Sequence, residues 1–365
     1  MRILHVLEAV VAGVGFYVKT LAEHQRRAGH EVMVALPAAR AWGSTDSDLS
    51  NALKTSGVEV VEIGIHTFPW HPKNVGAARK LAHLAKDWRP DVMHSHSTAA
   101  GTVARPVAAR MRIPSVHTPN GLRFSDERKG IRWFGEWAIE RSMAPFTKII
   151  VAVSPSEAKV LQRIHAPDRI AMIPNAVSLE AEPPPMPRTP RVVAVNRLVY
   201  QKDPITAVKA MATARRLRPE LEAVIVGEGP MYNKVKSLAT RLDPMIDVVG
   251  TTLDGTSAIA ASSMLLLSSR WEGAPFVVLE AMSLCRPVVA SNVVGTRDVV
   301  RERETGFLFS PGDDQTAADH IVRLIDDPGL AASMGSTGRC QVENHSPQQM
   351  MESLSEAYLR AMSQR

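Results

Sequence analysis

Cysteine, aromatic residues and long apolar runs are all scarce in this chain of 365 residues. Its two cysteines, Cys285 and Cys340, are too few for a disulfide framework and lack the spacing of a metal site. Apolar runs stay well short of the ~18 residues that cross a membrane, so we expect no spanning helix. The scarcity of cysteine makes a reduced, cytoplasmic chain the simplest interpretation.

Charge of one sign is not in large excess either. The 43 Lys+Arg residues against 37 Asp+Glu residues leave a net charge of +6, spread along the sequence in short groups. This balance gives little support for nucleic acid as a partner. It gives modest support for anionic partners, which include phosphate substrates and an acidic membrane surface.

Short β-rich runs alternate with helical patterns almost from end to end, which predicts an α/β chain with mostly parallel sheets. The apolar N-terminus fits a buried first strand better than a signal peptide, because His5 and Glu8 interrupt it. The predicted strands cover residues 3–7, 31–36, 58–63, 91–94, 115–117, 148–153, 170–173, 192–195, 222–226, 246–249, 264–267, 287–290 and 307–309.

A proline-rich segment, SLEAEPPPMPRTPR, interrupts this alternation at residues 178–191. Proline fits neither the interior of a helix nor that of a sheet, so we expect a semi-rigid linker here. The prediction is two Rossmann-like domains, residues 1–180 and 181–345, followed by a helix in the C-terminal segment 346–365. Two such domains would face each other across a cleft, with ligands at the carboxyl ends of the strands.

Two glycines, Gly13 and Gly15, follow the first strand and open a helix in AGVGFYV. Such a turn brings backbone N–H groups and the positive end of a helix close to a phosphate. The third glycine of the dinucleotide fingerprint is missing, so we expect no nicotinamide site. A phosphate-facing turn and a plain tight turn are equal alternatives on this pattern.

Three histidines and an asparagine lie near predicted strand ends in DVMHSHS and PSVHTPNGLRF: His94, His96, His117 and Asn120. We expect these side chains on the cleft side of the first domain. Because no carboxylate or cysteine completes a metal ligand set at a typical spacing, we expect no metal site. Hydrogen-bonding histidines and satisfied core histidines are the favoured interpretations.

Two loops of the second domain follow predicted strand ends, and the first of them carries two cations that suit a diphosphate. NRLVYQKDP places Arg197 and Lys202 just past a strand, although solvated surface charge is the usual alternative. VGEGP places Gly227 and Glu228 at the end of the next strand, in a loop that exposes its backbone. Alone, this second pattern is only a turn.

The most informative stretch is SSRWEGAPFVVLEAM, in which Glu272 lies in a loop and a helix begins near Phe276. Glu280, about one turn into that helix, can accept two hydrogen bonds from vicinal hydroxyls of a ribose or hexose. The alternative makes Glu272 a capping carboxylate and Glu280 a surface residue, which its apolar neighbours disfavour. The backbone N–H groups that would face an anion belong to Gly273, Ala274, Phe276 and Val277.

Taken together, these motifs resemble the family 4 retaining glycosyltransferases of the GT-B architecture, also described as glycosyl transferases group 1. The resemblance runs over nearly the full length of the chain. It rests on AGVGFYVKTLAEHQRRAGHEV, RPDVMHSHS, VHTPNGLRF, VAVSPSEAKVL, IPNAV, NRLVYQKDP, VGEGP, SSRWEGAPFVVLEAM, RPVVASNVVGTRDVV and TGFLFSPGD, in that order.

The resemblance implies a nucleotide diphosphate sugar, most simply a UDP-sugar, bound mainly by the second domain. Glu280 matches the carboxylate on the donor ribose, and Glu272 matches the one that faces the donor sugar. Arg197 and Lys202 match the pair that neutralises the diphosphate, and Gly13 matches a turn near the distal phosphate. Front-face transfer with retention would then need neither metal nor cofactor.

On the acceptor side, the resemblance implies a saccharide or lipid-linked acceptor bound mainly by the first domain, in surface polysaccharide or glycoconjugate synthesis. It also implies that the last helix crosses back to that domain. Asn120 stands where the family usually has a histidine; it can donate a hydrogen bond but cannot become a cation. Ala12, Ala176 and Cys285 replace glycines that are usual in the family.

An Asp-x-Asp spelling at Asp46-Ser47-Asp48 matches the metal ligands of another class of transferases, but we interpret it as part of a solvated polar loop. The aromatic segment at residues 132–146 fits a core helix, or a surface that rests on a membrane. We therefore expect a cytoplasmic enzyme, with peripheral contact at the inner face of the membrane as an option. The alternatives are a nucleotide-sugar epimerase or hydrolase of the same fold, and a non-catalytic sugar-nucleotide-binding module.

Overall fold

The computed structural model describes the chain except for residues 9–12, 38–44, 123, 125–130, 180–181, 251–253, 344 and 365. The chain divides into two compact units. Unit 1 comprises Met1–Asn175 together with Pro347–Arg365, and unit 2 comprises Ala176–Ser346. The last helix of the chain therefore belongs to unit 1.

The strands lie close to their predicted positions. They are β1 (Arg2–Leu7), β2 (Glu31–Leu36), β3 (Glu59–Glu62), β4 (Val92–His96), β5 (Ser115–Thr118), β6 (Ile149–Ala152), β7 (Ile170–Met172), β8 (Arg191–Val195), β9 (Glu222–Val226), β10 (Ile246–Val249), β11 (Met264–Leu267), β12 (Val288–Ser291) and β13 (Gly306–Phe309).

Helices fill the segments between these strands, as the alternation predicts. They are α1 (Gly13–Arg27), α2 (Thr45–Thr55), α3 (Lys73–Trp88), α4 (Thr98–Met111), α5 (Ile131–Met143), α6 (Pro155–Leu161), α7 (Pro204–Leu217), α8 (Tyr232–Leu242), α9 (Gly255–Ala260), α10 (Phe276–Ser283), α11 (Thr296–Val299), α12 (Asp314–Asp326), α13 (Pro328–Val342) and α14 (Pro347–Ser363).

The sheet of unit 1 has seven parallel strands in the order β3-β2-β1-β4-β5-β6-β7. The strands between the two edges are buried on both faces, whereas the edge strands β3 and β7 are partly exposed. In β1, Leu4 and Val6 pack into an apolar cluster with residues of α3 and α4. His5, between them, points to the other face, towards Gln25 of α1.

The sheet of unit 2 has six parallel strands in the order β10-β9-β8-β11-β12-β13. The apolar run of β11 serves both faces: Met264 and Leu266 join one core cluster, while Leu265 and Leu267 join the other. This arrangement is why the sequence reads as a continuous apolar run instead of an alternating one.

Each sheet has one point where the order of its strands reverses. In unit 1 the chain builds outwards from β1 to β3 and then restarts on the other side of β1 with β4. In unit 2 the same reversal falls between β8 and β11. Open α/β sheets bind ligands beyond the carboxyl ends of the strands at these switch points. The two switch points are therefore where functional side chains are expected.

The structure corrects one expectation from the sequence and adds contacts to two others. The segment with Asp46-Ser47-Asp48 is not a loop, because its backbone forms the start of α2; polar residues in the first turn of a helix resemble a loop in sequence. The proline-rich segment is fixed on unit 2, where the buried Arg286 guanidinium donates to the carbonyls of Pro184 and Pro185 at 2.9 and 3.0 Å.

The aromatic segment at residues 132–146 includes most of helix α5. Trp133 and Trp137 are partly buried against an apolar cluster that contains Phe124 and Ile150, while Phe134 is 61% exposed. The segment is thus mainly a packed helix of unit 1. In the part of the chain that the structure describes, no helix has the length and apolar character needed to span a bilayer.

Candidate active site

Two loops meet at the switch point of unit 2, one after β8 and one after β11. The Ser268 hydroxyl lies within hydrogen-bond distance of the carbonyls of Lys202 and Asp203, at 3.0 and 2.8 Å. The Arg270 N–H donates to the carbonyl of Gln201 at 2.8 Å. These bonds fix the backbone of one loop against the other, so side chains from both loops hold defined positions.

Lys202 and Glu272, one from each loop, form an ion pair at this point. The Lys202 Nζ lies 2.5 Å from the Glu272 Oε1, and the Ser269 hydroxyl donates to the same oxygen at 2.5 Å. The side chains are only 16% and 7% exposed. A pair so sheltered from water forms a strong, charge-assisted hydrogen bond. Lys202 and Glu272, which the family resemblance assigns to the diphosphate and to the donor sugar, are thus in direct contact.

Arg197, the other predicted cation, is half-buried in the same loop after β8. A second ion pair, which no sequence motif indicated, holds the loops together: the Arg270 guanidinium lies 2.7 Å from the Asp203 carboxylate. Arg270 also stacks over the ring of Tyr200, 4.4 Å from its centroid. The sequence holds two weak signals for this ion pair. Asp203 directly precedes the proline that starts a helix, and Arg270 lies two residues before Glu272.

Helix α10 begins at Phe276, as predicted, directly after the loop that carries Glu272. Its N-cap residue, Pro275, makes no side-chain capping hydrogen bond, and the first turn of the helix contains no acidic residue. Gly273 and Ala274 are buried in the preceding loop, and Val277 is in the first turn. The positive end of the helix is therefore presented at the switch point, where it favours an anion.

Glu280 lies about one turn further along α10 and is partly buried. Burial raises the pKa of its carboxyl group to about 7, and the negative charge of Asp254 adds to that rise. Its charged form is therefore poorly solvated at neutral pH. Hydroxyl donors from a ligand would supply hydrogen bonds that this carboxylate lacks from water.

Close backbone approaches at two glycines shape the loops around these groups. A Cβ on Gly227, whose φ is +148°, would lie 1.9 Å from the carbonyl oxygen of Asn196. A Cβ on Gly295, whose φ is +87°, would lie 2.1 Å from the carbonyl oxygen of Gly273. Glu228, next to Gly227, has an exposed side chain, and its backbone carbonyl accepts a hydrogen bond from the Leu198 N–H at 2.8 Å. Any side chain at either glycine would displace a loop.

The remaining predicted residues belong to unit 1. Gly13 is the first residue of α1, and Gly15 is buried in its first turn. Asn120 follows β5 with a φ of +57°, and its side-chain amide donates to the Thr118 carbonyl at 3.4 Å. Ala12, which replaces a usual glycine, lies outside the described residues.

Two family models match the chain in succession. The model for Glycosyltransferase Family 4 matches residues 11–181, and the model for Glycosyl transferases group 1 matches residues 180–341. The chain belongs to glycosyltransferase family 4. The family and the fold class that the motifs indicated, two Rossmann-like α/β domains with parallel sheets, are thereby confirmed. This glycosyltransferase carries its sugar-transferring function on that fold.

Several relatives of this glycosyltransferase match most of its length. It is 28% identical to the UDP-Gal:alpha-D-GlcNAc-diphosphoundecaprenol alpha-1,3-galactosyltransferase of Escherichia coli, over 71% of this chain and 72% of that protein. It is 27% identical to a glycogen synthase of Mycobacterium tuberculosis, over 93% and 89% of the two chains. The structure of Anabaena Alr3699/HepE in complex with UDP and glucose matches with a TM-score of 0.81 and 18% identity, over 98% of both chains.

The histidines of this glycosyltransferase are hydrogen-bonded core residues, as the favoured interpretation predicted, but their position differs from the expected one. His94, His96 and His117 are fully buried within strands instead of lining the ligand side of the sheet. The alternation of β4 turns His94 and His96 to the face covered by α1 and α14. There the two nitrogens of His94 lie 2.8 Å from the hydroxyls of Tyr358 and Thr118.

His5 completes a buried histidine cluster with His94 and His96, whose ring nitrogens lie within 4.8 Å of one another. The Nδ1 of His5 lies 3.0 Å from the Nε2 of His96, and its Nε2 lies 2.7 Å from the Gln25 side-chain oxygen. Burial lowers the pKa of His5 to about 4 and lowers the pKa of His94 and of His96 well below its usual value. A metal ion here would have to displace these hydrogen bonds.

Proposed function

We propose that this family 4 enzyme is a retaining, metal-independent glycosyltransferase that moves a sugar from a UDP-sugar to a saccharide or lipid-linked acceptor. The observation that carries the proposal is the contact between Lys202 and Glu272, beside the N-terminus of α10, at the switch point of unit 2. One site combines a cation, a carboxylate and a helix N-terminus. A nucleotide diphosphate sugar needs all three kinds of group.

The positive groups of this site would bind the diphosphate. Lys202 and Arg197 supply full positive charges, and the start of α10 supplies backbone N–H groups from Gly273, Ala274, Phe276 and Val277. Negative charge grows on the diphosphate as the bond to the sugar breaks, so these groups stabilise the transition state more than the bound donor. Their charge supports departure of the nucleoside diphosphate without a metal ion.

The two carboxylates would hold the two sugars of the donor. Glu280 lies within α10, where its poorly solvated carboxylate would accept hydrogen bonds from both hydroxyls of the ribose. Glu272 would accept hydrogen bonds from hydroxyls of the transferred sugar. Through its contact with Lys202, it would also align that sugar with the diphosphate. Gly227 and Glu228 would border the nucleotide.

One relative and one similar structure support the donor and acceptor classes. The Escherichia coli relative is named for UDP-galactose and for an acceptor that carries a diphosphoundecaprenol group. The Anabaena structure contains UDP and glucose. We therefore propose a UDP-sugar donor and a saccharide acceptor, free or lipid-linked, in the synthesis of a surface polysaccharide.

A lipid-linked acceptor suggests peripheral contact with the inner face of the membrane, and unit 1 offers a suitable surface. Phe68 and Trp70 are 59% and 68% exposed on a loop that the side-chain amide of the buried Asn74 holds through the carbonyls of Phe68 and Pro69. Aromatic rings favour the membrane interface, and basic residues favour anionic lipid. The exposed basic residues on the adjoining helix α3 are Lys73, Arg79, Lys80 and Lys86.

Sedimentation with vesicles tests this surface. We expect the protein to bind phosphatidylglycerol vesicles and not phosphatidylcholine vesicles, and we expect Trp70→Ser to weaken the binding. Equal sedimentation of the wild type and the Trp70→Ser variant would remove the surface from the proposal.

A transfer assay tests the enzymatic function. The full chain is incubated in EDTA with UDP-, GDP- and ADP-sugars and a panel of octyl glycosides, and the anomeric configuration of any product is read by NMR. The proposal expects transfer from a UDP-sugar with retained configuration. Turnover without acceptor would indicate an epimerase or hydrolase instead, and nucleotide binding without turnover would indicate a non-catalytic module.

A further inference from the structure

A second set of contacts joins the two loops that carry Lys202 and Glu272. Asp203 directly follows Lys202, and Arg270 lies two residues before Glu272. The Arg270 guanidinium lies 2.7 Å from the Asp203 Oδ2. Two ion pairs therefore span the same two loops, although only the pair of Lys202 with Glu272 has a role on the donor in the proposed function.

Asp203 departs from the usual geometry of a residue that begins a helix. Its φ is +43° and its ψ is +56°, in the left-handed region that side chains rarely adopt. It is the N-cap residue of α7, yet its side chain makes no capping hydrogen bond. Its buried carboxylate faces Arg270 instead, and the Thr206 hydroxyl donates to the same Oδ2 at 2.9 Å. Such backbone strain is concentrated at functional sites.

Arg270 makes further contacts with the loop after β8. Its guanidinium stacks over the ring of Tyr200, 4.4 Å from the centroid, and its backbone N–H donates to the Gln201 carbonyl at 2.8 Å. We call the side chains of Tyr200, Asp203 and Arg270 the loop clasp. Tyr200 and Asp203 lie on either side of Lys202 in the sequence, so the clasp restricts the backbone from which Lys202 extends.

The charge of Arg270 is used within the loop clasp. An alternative role for this residue is that of a third cation for the diphosphate, beside Arg197 and Lys202. The Asp203 carboxylate opposes that role, because it neutralises the guanidinium and its own negative charge would repel a phosphate. The ring of Tyr200 also lies against the guanidinium. These contacts favour a positional role for Arg270 over direct contact with the donor.

We propose that the loop clasp positions Lys202 and Glu272 for the reaction, with Asp203 and Arg270 as positioning residues that do not contact the donor. The inference rests on the proposed function, because it concerns the same donor site. Stabilisation of a leaving group depends on charges that are already in place, and a displacement of about 1 Å can slow a reaction ~100-fold. Loss of the clasp should therefore slow the transfer step more than it weakens binding of the donor.

Steady-state kinetics of Arg270→Gln tests the role in catalysis, with the UDP-sugar and the octyl glycoside that are active in the transfer assay. We expect kcat to fall ~10–100-fold, while KM for the donor and Kd for UDP change less than ~3-fold. Calorimetric titration of UDP gives the number of folded sites as well as the affinity, so kcat refers to folded protein. Arg191→Gln is the matched control and should leave kcat unchanged, since Arg191 pairs with Glu222 at the start of β8, away from the loops.

Further variants show whether Asp203 and Arg270 act as one unit. Asp203→Asn keeps the size of the side chain and tolerates the left-handed backbone, but it removes the charge that faces Arg270. It should lower kcat to a similar extent, and the double variant with Arg270→Gln should be no slower than the slower single variant. Arg270→Lys keeps a positive charge near Asp203 and should recover part of kcat. Losses that multiply in the double variant would contradict the clasp.

Hydrogen exchange reports on the loops without any turnover. In the ligand-free protein, amide exchange in the peptides that cover residues 197–203 and 268–274 should become faster in Arg270→Gln and stay unchanged in Arg191→Gln. Unchanged exchange in Arg270→Gln, or faster exchange with an unchanged kcat, would overturn the inference. A loss of UDP affinity as large as the loss of kcat would also overturn it, because Arg270 would then bind the diphosphate.

The outcomes distinguish the loop clasp from the wider function. A wild type that transfers sugar, together with normal exchange and normal kcat in Arg270→Gln, would overturn the clasp and leave the proposed function standing. A wild type without turnover on any donor would refute the proposed function and with it the catalytic role of the clasp, even where exchange shows that the clasp holds the loops.

Discussion

Lys202 and Glu272 are the residues on which the proposed chemistry depends most. The Lys202 Nζ and the Glu272 Oε1 lie 2.5 Å apart, and both side chains have little exposure to solvent. Each residue therefore stabilises the position and the charge of the other. The donor would insert its diphosphate beside Lys202 and its sugar beside Glu272. A site that already holds its charged groups in place needs little reorganisation as the reaction proceeds.

Replacing Lys202 by glutamine should lower kcat by about 10²–10³-fold, because the growing charge on the diphosphate loses a cation. Steady-state kinetics with the active donor measures the effect. Lys209→Gln is the control, since Lys209 is a half-exposed lysine of the same unit. An unchanged kcat in Lys202→Gln would remove the residue from the catalytic site.

Glu280 should make donor binding depend on pH. Its pKa of about 7 means that the carboxylate forms as the pH rises from 6 to 8, and only the carboxylate accepts two hydrogen bonds from the ribose. We expect the affinity for UDP-glucose to increase up to ~10-fold over this range. Fluorescence or calorimetric titration measures it, and Glu280→Gln should flatten the profile. A wild-type profile that is already flat contradicts the role.

At the scale of elements, the loops that border the active site depend on close backbone packing. Gly295 and Gly312 have nearly equal φ angles, +87° and +86°. A Cβ on Gly295 would meet the Gly273 carbonyl, whereas a Cβ on Gly312 would meet nothing within 4 Å. Alanine at the two positions should therefore suffer the same unfavourable φ, but only at position 295 should it also clash with a neighbouring backbone atom.

Gly295→Ala should therefore lower both the melting temperature and the affinity for UDP, because it pushes on the loop that contains Gly273. Gly312→Ala should cost only about 1 kcal/mol of stability, from the unfavourable φ, and leave UDP binding intact. Thermal unfolding with and without UDP compares the pair. Equal behaviour of the two variants would show that the contact with Gly273 does not shape the site.

The sequence was a good guide to elements whose pattern is local. The apolar run of β11 and the start of α10 at Phe276 were predictable, because burial and helix entry leave signals within a few residues. The polar start of α2 was read as a loop, since residues that begin helices also favour turns.

Contacts between distant residues left no such signal. The ion pair of Asp203 with Arg270 depends on two loops that the sheet order brings together. The positive φ of Ser97 is equally invisible, because serine rarely adopts it and nothing nearby in the sequence requires it. Sequence could nominate Glu272, Lys202 and Glu280, but only the fold shows which of them touch.

At the scale of the whole molecule, the histidine cluster links both ends of the chain. His5 is in the first strand, while Tyr358, which contacts His94, is in the last helix. Burial keeps these histidines neutral, since it lowers the pKa of each of them and also lowers the pKa of His117 to about 3. In the unfolded chain they titrate near 6.5.

Unit 1 should therefore lose stability in acid. As the pH falls below 6.5, the unfolded chain binds protons that the folded histidines refuse until about pH 4 for His5. In this range each buried histidine lowers the free energy of unfolding by about 1.4 kcal/mol for every unit by which the pH falls. Urea unfolding at pH 7, 6 and 5 by tryptophan fluorescence measures the slope, since five of the six tryptophans lie in unit 1.

The variant His96→Gln should reduce that slope, and His83→Gln, at an exposed histidine of unit 1, should not. A stability that does not change from pH 7 to pH 5 would mean that the buried histidines gain protons as readily as exposed ones.

The central claim is that unit 2 binds a nucleotide diphosphate without a metal ion, through the helix N-terminus, the cations and Glu280. Calorimetric titration of UDP into the full chain in EDTA tests it most directly. The account predicts saturable binding at one site, unchanged when magnesium replaces EDTA and lost in Glu280→Ala. Binding that requires magnesium, or no binding of UDP at all, would contradict the account.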